Sequence, residues 1–409
     1  MRLKLVFISL LLLCLLSAGC SSAQDFDSRL NSIVAPYRFN WAMWELESIC
    51  YEIGQWFCGD HIEPEEQAAT VMEYFALGEQ IRSLELEIAA VSAGTEEGDL
   101  AALEAELNSL QEQRAALTSS VERIIASQII EVLAEQGIFH PAHQFIGLDF
   151  SFPPLNFRLG ELPYLLVISP RDSIESIREI ALRADLTLEE IESIEEQVEE
   201  LGVSALVVRL GGAGALYPTL VTDSASLQFT ISAAVEEWLH QYLAFQPLGF
   251  LYTLDLLGIS RNYEIATMNE TLASMVSDEI AALVLERFYP EYVNNEQPEE
   301  DSGFDFYQEM REIRITVDQY LAQGEIEQAE EYMEERRQYL VSMGYYIRRL
   351  NQAYFAFYGT YADSPTSVSP IGAELRELRE QSASLRDFLE TVAGMSSRQE
   401  LIDILSEGQ

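Results

Sequence analysis

The sequence predicts an α+β protein that is mostly helical, in which a helical hairpin precedes a small mixed sheet and a helical domain that carries the site. Three observations support this. Apolar residues recur at helical spacing through 64–137 and again through most of 227–406. Short strand-like apolar runs bounded by Gly and Pro fall between 148 and 222. Apolar content of 48% is enough for a substantial core and excludes a disordered chain, and no fixed-period repeat interrupts the pattern.

The chain opens MRLKLVFISLLLLCLLSAGCSS, with Arg2 and Lys4 ahead of an apolar run and small residues ending at Cys20. This reads as a signal over 1–19, too short for an ordinary membrane span. LSAGC resembles a bacterial lipobox, which implies acylation of Cys20, a tether over 20–36 and an extracytoplasmic protein held to the membrane by its lipid. A plain cleaved signal or an uncleaved anchor are the alternatives. The chain has 24 basic and 68 acidic side chains; without Arg2 and Lys4 it has 22 against 68, a formal charge of −46. Such a charge excludes nucleic acid as a partner. Lys4 is the only lysine, so the expected mature chain has no Schiff-base, Walker or Ser-Lys chemistry. Cys50 and Cys58 would lie about 12 Å apart on one straight helix, so a bridge between them needs a break near Gly54. Spacing leaves that open.

Residues 37–146 read as helical. FNWAMWELESICYEIGQWFCGD has the spacing of a core helix. Beyond it, two helices flank SAGTEEGD. Leu100, Leu103, Leu107, Leu110 and Leu117 share one face behind the cap Asp99, which predicts an antiparallel hairpin. The heptads are too few to specify an oligomer. Residues 147–300 read as an α+β core. FPPLNFRLG and ELPYLLVISP are strand-like, DSIESIREIALRAD reads as an amphipathic helix, and TLEEIESIEEQVEELG reads as a helix opened by a Thr187/Glu190 capping box. SALVVRL and ALYPTLVT read as strands across a turn at Gly211, Gly212 and Gly214. Residues 301–409 read as a helical region, its longest piece running from Glu325 to Gly359.

The chemistry concentrates in EEWLH, 236–240, one of few places where this chain has a histidine. Residues four apart share a helix face, so Glu236 and His240 can point at one ion, with Glu237 beside them as a proton acceptor. A catalytic zinc needs three protein ligands. The third is Glu270 in MNETLASMVSDEI, where Ala273 and Val276 give that helix a small apolar face for packing. The bland alternative makes Glu236 and His240 an exposed i,i+4 pair and Asn269 and Glu270 a helix cap. HPAH, 140–143, is a second histidine cluster whose spacing Pro141 spoils for a helical site.

A helix with HExxH followed by one with NExxA resembles the thermolysin-like zinc peptidases, the gluzincins. The resemblance implies Zn²⁺, or another divalent cation, on Glu236, His240 and Glu270, with Glu237 as general base and Asn269 beside the third ligand. Glu236 stands where the family has a histidine. The resemblance also implies a strand ahead of the first helix that holds extended substrate, and ALYPTLVT is in the right order for it. A weaker likeness to lipoprotein aminopeptidases of bacteria covers RRLNQAYFAFYGTYA and LRDFLETVAGM, which makes Asn351, Tyr354 and Tyr361 candidates for the pocket wall. The function implied is hydrolysis of peptide or protein substrates. A degenerate peptidase homologue that binds a peptide or partner without turnover is the alternative, and a helical lipoprotein with a coincidental EEWLH is a third. A carboxylate at 236 favours harder cations and acidifies bound water less than a neutral ligand would.

Overall fold

The structure is a computed structural model that describes residues 23–41, 44, 62–95, 97–138, 154–213, 218–295, 304–359, 361–362 and 367–407. Cys20, Cys50, Cys58 and the histidines of HPAH lie outside the described residues. Within them the protein has fourteen α-helices and two three-stranded sheets, an α+β and mostly helical fold. None of these helices is long and apolar enough to cross a membrane.

The first helix, α1 (Ala23–Val34), occupies most of the stretch expected to be a tether. Its apolar side chains recur every three or four residues, and Leu30 and Val34 are buried in a core shared with the second sheet. That burial converts a polar-looking leader into a packed helix. The hairpin follows as α2 (Pro64–Ser92) and α3 (Leu100–Glu135), with Asp99 capping α3 by accepting from the Ala102 amide at 3.2 Å. Val71, Tyr74, Leu77, Ile81 and Leu84 form the buried stripe of α2. The fully buried part of α3 begins at Val121.

Strands β1 (Phe157–Gly160), β2 (Tyr164–Pro170) and β3 (Arg178–Leu182) come next, then α4 (Leu188–Glu199), β4 (Val203–Arg209), β5 (Gly212–Ala213) and β6 (Thr219–Thr222). The expected mixed sheet has the order β1-β6-β5, with β1 parallel and β5 antiparallel to the central β6. α3 closes the outer side of β1, where the buried Glu122 accepts from the Leu159 amide at 2.8 Å. A second, antiparallel sheet has the order β3-β2-β4. Its edge strand β3 corrects the sequence reading, which made this stretch a helix. Ile174, Ile177 and Ala181 have helical spacing, but pairing of Arg178–Leu182 with β2 satisfies that backbone instead. α4 has the expected capping box, Thr187 with Glu190.

The remaining chain is helical: α5 (Leu227–Leu243), α6 (Pro247–Leu256), α7 (Tyr263–Phe288), α8 (Pro290–Asn295), α9 (Phe306–Ala322), α10 (Ile326–Ser342), α11 (Gln352–Tyr358), α12 (Ile371–Gln381), α13 (Leu385–Ala393) and α14 (Arg398–Glu407). The piece read as one helix from Glu325 to Gly359 is two. α10 stops before Gly344, whose φ of 96° cannot continue a helix, and α11 restarts at the cap Asn351. The main core joins α3, α5, α7 and α12 to α14.

Glu195 on α4 ties the second sheet to the segment before α11. It is fully buried, accepts from the Val207 amide at 2.7 Å, and takes both terminal nitrogens of Arg348 at 2.6 Å, with Arg349 at 3.2 Å. Removing this carboxylate leaves the guanidinium groups facing an unfilled hole. Glu195→Ala is therefore expected to cost about 3 kcal/mol of unfolding free energy, read from denaturant midpoints; an unchanged midpoint would show that the latch contributes nothing.

Candidate metal centre

α5 and α7 build the site by packing against each other. Ser226 caps α5 by accepting from the Phe229 amide at 3.2 Å, and Asn262 caps α7 by accepting from Ile265 at 3.2 Å. On α5, Ile231, Val235, Trp238, Leu239 and Leu243 are buried around the polar face that carries Glu236, Glu237 and His240. On α7, Ala273 and Val276 are fully buried, the close contact that brings Glu270 to that face. The cap of α7 is Asn262, so Asn269 and Glu270 lie two turns inside the helix, which removes the reading of them as a cap.

One ligand atom from each of Glu236, His240 and Glu270 lies within 4.8 Å of the other two, close enough for one ion to bridge. Their chemistry fits a cation. The acceptor oxygen of Asn269 meets His240 Nδ1 at 2.9 Å, so Nδ1 carries the proton and donates it. The other ring nitrogen, Nε2, faces Glu270 Oε2 at 3.5 Å, so the nitrogen not taken by Asn269 is the one turned to the cluster. Glu236 adds a third donor: its Oε1 is buried with no hydrogen-bond partner, so the pair is not an exposed i,i+4 contact.

Burial pushes the Glu236 carboxyl up to about 8, and the neighbouring charges of Glu237 and Glu270 add to this; His240 and a hydrogen bond with Tyr361 oppose it. No guanidinium is among these influences. Tyr252, on α6, donates its hydroxyl to Glu270 Oε1 and stacks beside His240 with ring centroids 5.8 Å apart. Burial raises both Tyr252 and Tyr361 well above the ordinary phenol range, and the charge of Glu270 raises them further. Both phenols therefore keep their protons at neutral pH. Glu179 on β3 faces the same region: it is open to solvent yet crowded enough that desolvation raises its carboxyl, and the charge of Glu270 adds to the shift.

Of the residues singled out by sequence, the fold brings Glu236, Glu237, His240, Asn269, Glu270 and Tyr361 together. Asn351 and Tyr354 are engaged elsewhere. Asn351 caps α11 and donates to the Ala205 carbonyl at 2.9 Å, and Tyr354 packs against Tyr358 beside the second sheet. The free sheet edge is also not where the sequence suggested. β6 is the central strand with both edges paired, and it is β5, beside α5, that among the described residues pairs on one side only. There Gly212 lies so close to Glu237 that a Cβ would sit 2.3 Å from its Oε1 and 2.7 Å from its Cγ. Sequence reasoning took Gly211 and Gly212 for a turn alone; the paired glycines before the helix were the available signal. It also missed Tyr252 and Thr271. Thr271 Oγ1 accepts from the Ala362 amide at 3.0 Å and thereby holds the loop that bears Tyr361.

No known protein family, curated protein or solved structure matches the chain.

The raised carboxyl gives a direct test. The folded, cation-free protein holds a proton on Glu236 at pH values where the unfolded chain has lost it, between the ordinary 4.5 and about 8. Its stability should therefore fall as pH rises through that window, by at most about 1.4 kcal/mol per pH unit from this group. Glu236→Gln should flatten the decline, and Zn²⁺ should restore stability at the alkaline end. Denaturant midpoints across the window measure this; equal slopes for the two proteins would mean that Glu236 titrates normally.

Proposed function

We propose that the protein is an extracytoplasmic, membrane-anchored metallopeptidase, related to the gluzincins, that hydrolyses peptide bonds. Glu236, His240 and Glu270 are its ligands for Zn²⁺ or another divalent cation. The observation that carries the reading is the state of His240: its Nδ1–H is held by Asn269 and its Nε2 is turned to Glu270. A second-sphere partner of this kind fixes the tautomer that a metal-binding imidazole needs. A divalent cation on these side chains supplies Lewis acidity, polarising a scissile carbonyl and acidifying water.

The chain's own groups do the rest. Glu237 projects from α5 next to the ligands, and its carboxylate accepts the proton of the attacking water and returns it to the leaving amine. Tyr252 and Tyr361 stay protonated and, as donors, orient the carboxylates of Glu270 and Glu236. The edge of β5 that is unpaired among the described residues suits an extended peptide, whose backbone can pair with it beside Glu237, where Gly212 lets the strand pass close to that carboxylate. The expected lipid on Cys20 would keep the enzyme at a membrane, and its substrates are peptides or proteins outside the cytoplasm.

One observation favours a second reading. Glu236 puts a second carboxylate where zinc hydrolases of this type carry a neutral imidazole, and the added negative charge weakens the acidification of water. The same cleft would then bind a peptide or partner without turnover. Glu237→Gln separates the two. The enzyme reading expects it to keep Zn²⁺ while cleavage of a mixed peptide library, followed by mass spectrometry, falls by about 10²–10⁴-fold. Equal cleavage by mutant and wild type removes Glu237 from the chemistry, and no cleavage by a zinc-loaded wild type supports the binding reading.

A further inference from the structure

The surface of α6 and its flanking turns differs from the rest of the molecule. Phe245, Phe250, Leu256, Ile259 and Tyr263 are each more than half exposed, a density of large apolar side chains that no other described segment matches. In a chain with 68 acids, residues 238–263 contain one, Asp255. It is 7% exposed and turned inward, where it accepts from the Asn262 amide at 2.6 Å and lies 3.9 Å from Arg261. The exposed side of this segment therefore carries no negative charge, on a protein whose surface is otherwise strongly anionic. Its inner side is committed: Leu248 and Gly249 are buried against α5, and Tyr252 reaches Glu270.

We propose that α6 and its flanking turns form a membrane-docking face, whose occupant is the acyl region of a bilayer with uncharged or zwitterionic headgroups. A concentration of exposed large apolar side chains on one segment marks an interaction site. A short helix that cannot span can lie in the interface, with its apolar side chains among the acyl chains. Charge selects the lipid. The protein's net −44 opposes an anionic surface, and a face cleared of acids has no carboxylate to desolvate on entry. The exposed Ser260 and Arg261 beside these side chains can meet headgroup oxygens, while Phe245, Phe250, Leu256 and Ile259 carry no hydrogen-bonding group into the acyl region. Docking there leaves α6 between the bilayer and the Tyr252–Glu270 pair on its inner side. The face itself does not depend on the cleft being catalytic.

The test uses the full chain with one added tryptophan reporter, Phe250→Trp on the face or Tyr346→Trp at a site 89% exposed in the loop between α10 and α11. Each is mixed with phosphatidylcholine vesicles whose acyl chains are brominated or plain, and emission is read as the difference from wild type. Because any amino-terminal anchor is common to both chains, only contact of the reporter with acyl chains separates them. Phe250→Trp should lose roughly half its emission to brominated chains, as a side chain inserted at the acyl boundary would, and Tyr346→Trp should lose none. Adding Phe245→Glu and Ile259→Glu should abolish the quenching, and anionic lipid should weaken it. Equal quenching of both reporters, or none of either, overturns the proposal. So does a concentration-dependent emission shift of Phe250→Trp without vesicles, which would give the face to a second copy of the chain.

Discussion

Everything at the centre of this molecule follows from one electrostatic constraint: Glu236, Glu237 and Glu270 converge on a poorly solvated spot whose nearest basic group is a histidine. Asn269 holds Nδ1 of that histidine and leaves its Nε2 turned toward Glu270. A buried anion needs a partner or it takes up a proton. Without a cation, Glu236 does the second, which is why its carboxyl is pushed up to about 8. With one, all three ligands are satisfied together, and the partnerless Oε1 of Glu236 has a use.

The scaffold holds this arrangement by enclosing α7. Successive residues on a helix point about 100° apart, so Asn269, Glu270 and Thr271 face three ways, and all three are buried. Asn269 meets His240 on α5, Glu270 meets Tyr252 on α6, and Thr271 holds the loop that carries Tyr361. One turn of one helix thus orients the imidazole, supplies a candidate ligand and positions the loop of a phenol. The side chains come from separate elements, but their register is fixed by the packing of α7 on α5 and α6.

The parts of the site that lie on long helices could be read from the sequence, and the parts that depend on tertiary meetings could not. Glu236 and His240 follow from helical spacing, and Glu270 from a second helix with a small apolar face. Tyr252 gave no signal, because nothing in PLGFLYTLDL says that this helix packs across both others. β5 is two residues long and was invisible as a strand; only its glycines hinted that a backbone passes close to Glu237. The fold class and the hairpin were legible from periodicity and caps. Ile174, Ile177 and Ala181 satisfy helical spacing as well as a strand's apolar content, and only pairing with β2 decides for the strand β3. Asn351 drew attention for its place in a motif-like run, yet its amide is taken up by the Ala205 carbonyl and the cap of α11.

The central claim is that one divalent cation sits on one imidazole and two carboxylates. X-ray absorption at the zinc edge of protein loaded with one equivalent of Zn²⁺ tests it most directly. The account predicts a light-atom shell at about 2.0–2.2 Å with no sulfur and the multiple-scattering signal of a single imidazole, lost in His240→Ala. Two or more imidazoles, or a zinc–sulfur shell at about 2.3 Å, would place the metal on HPAH or on the cysteines and contradict the account.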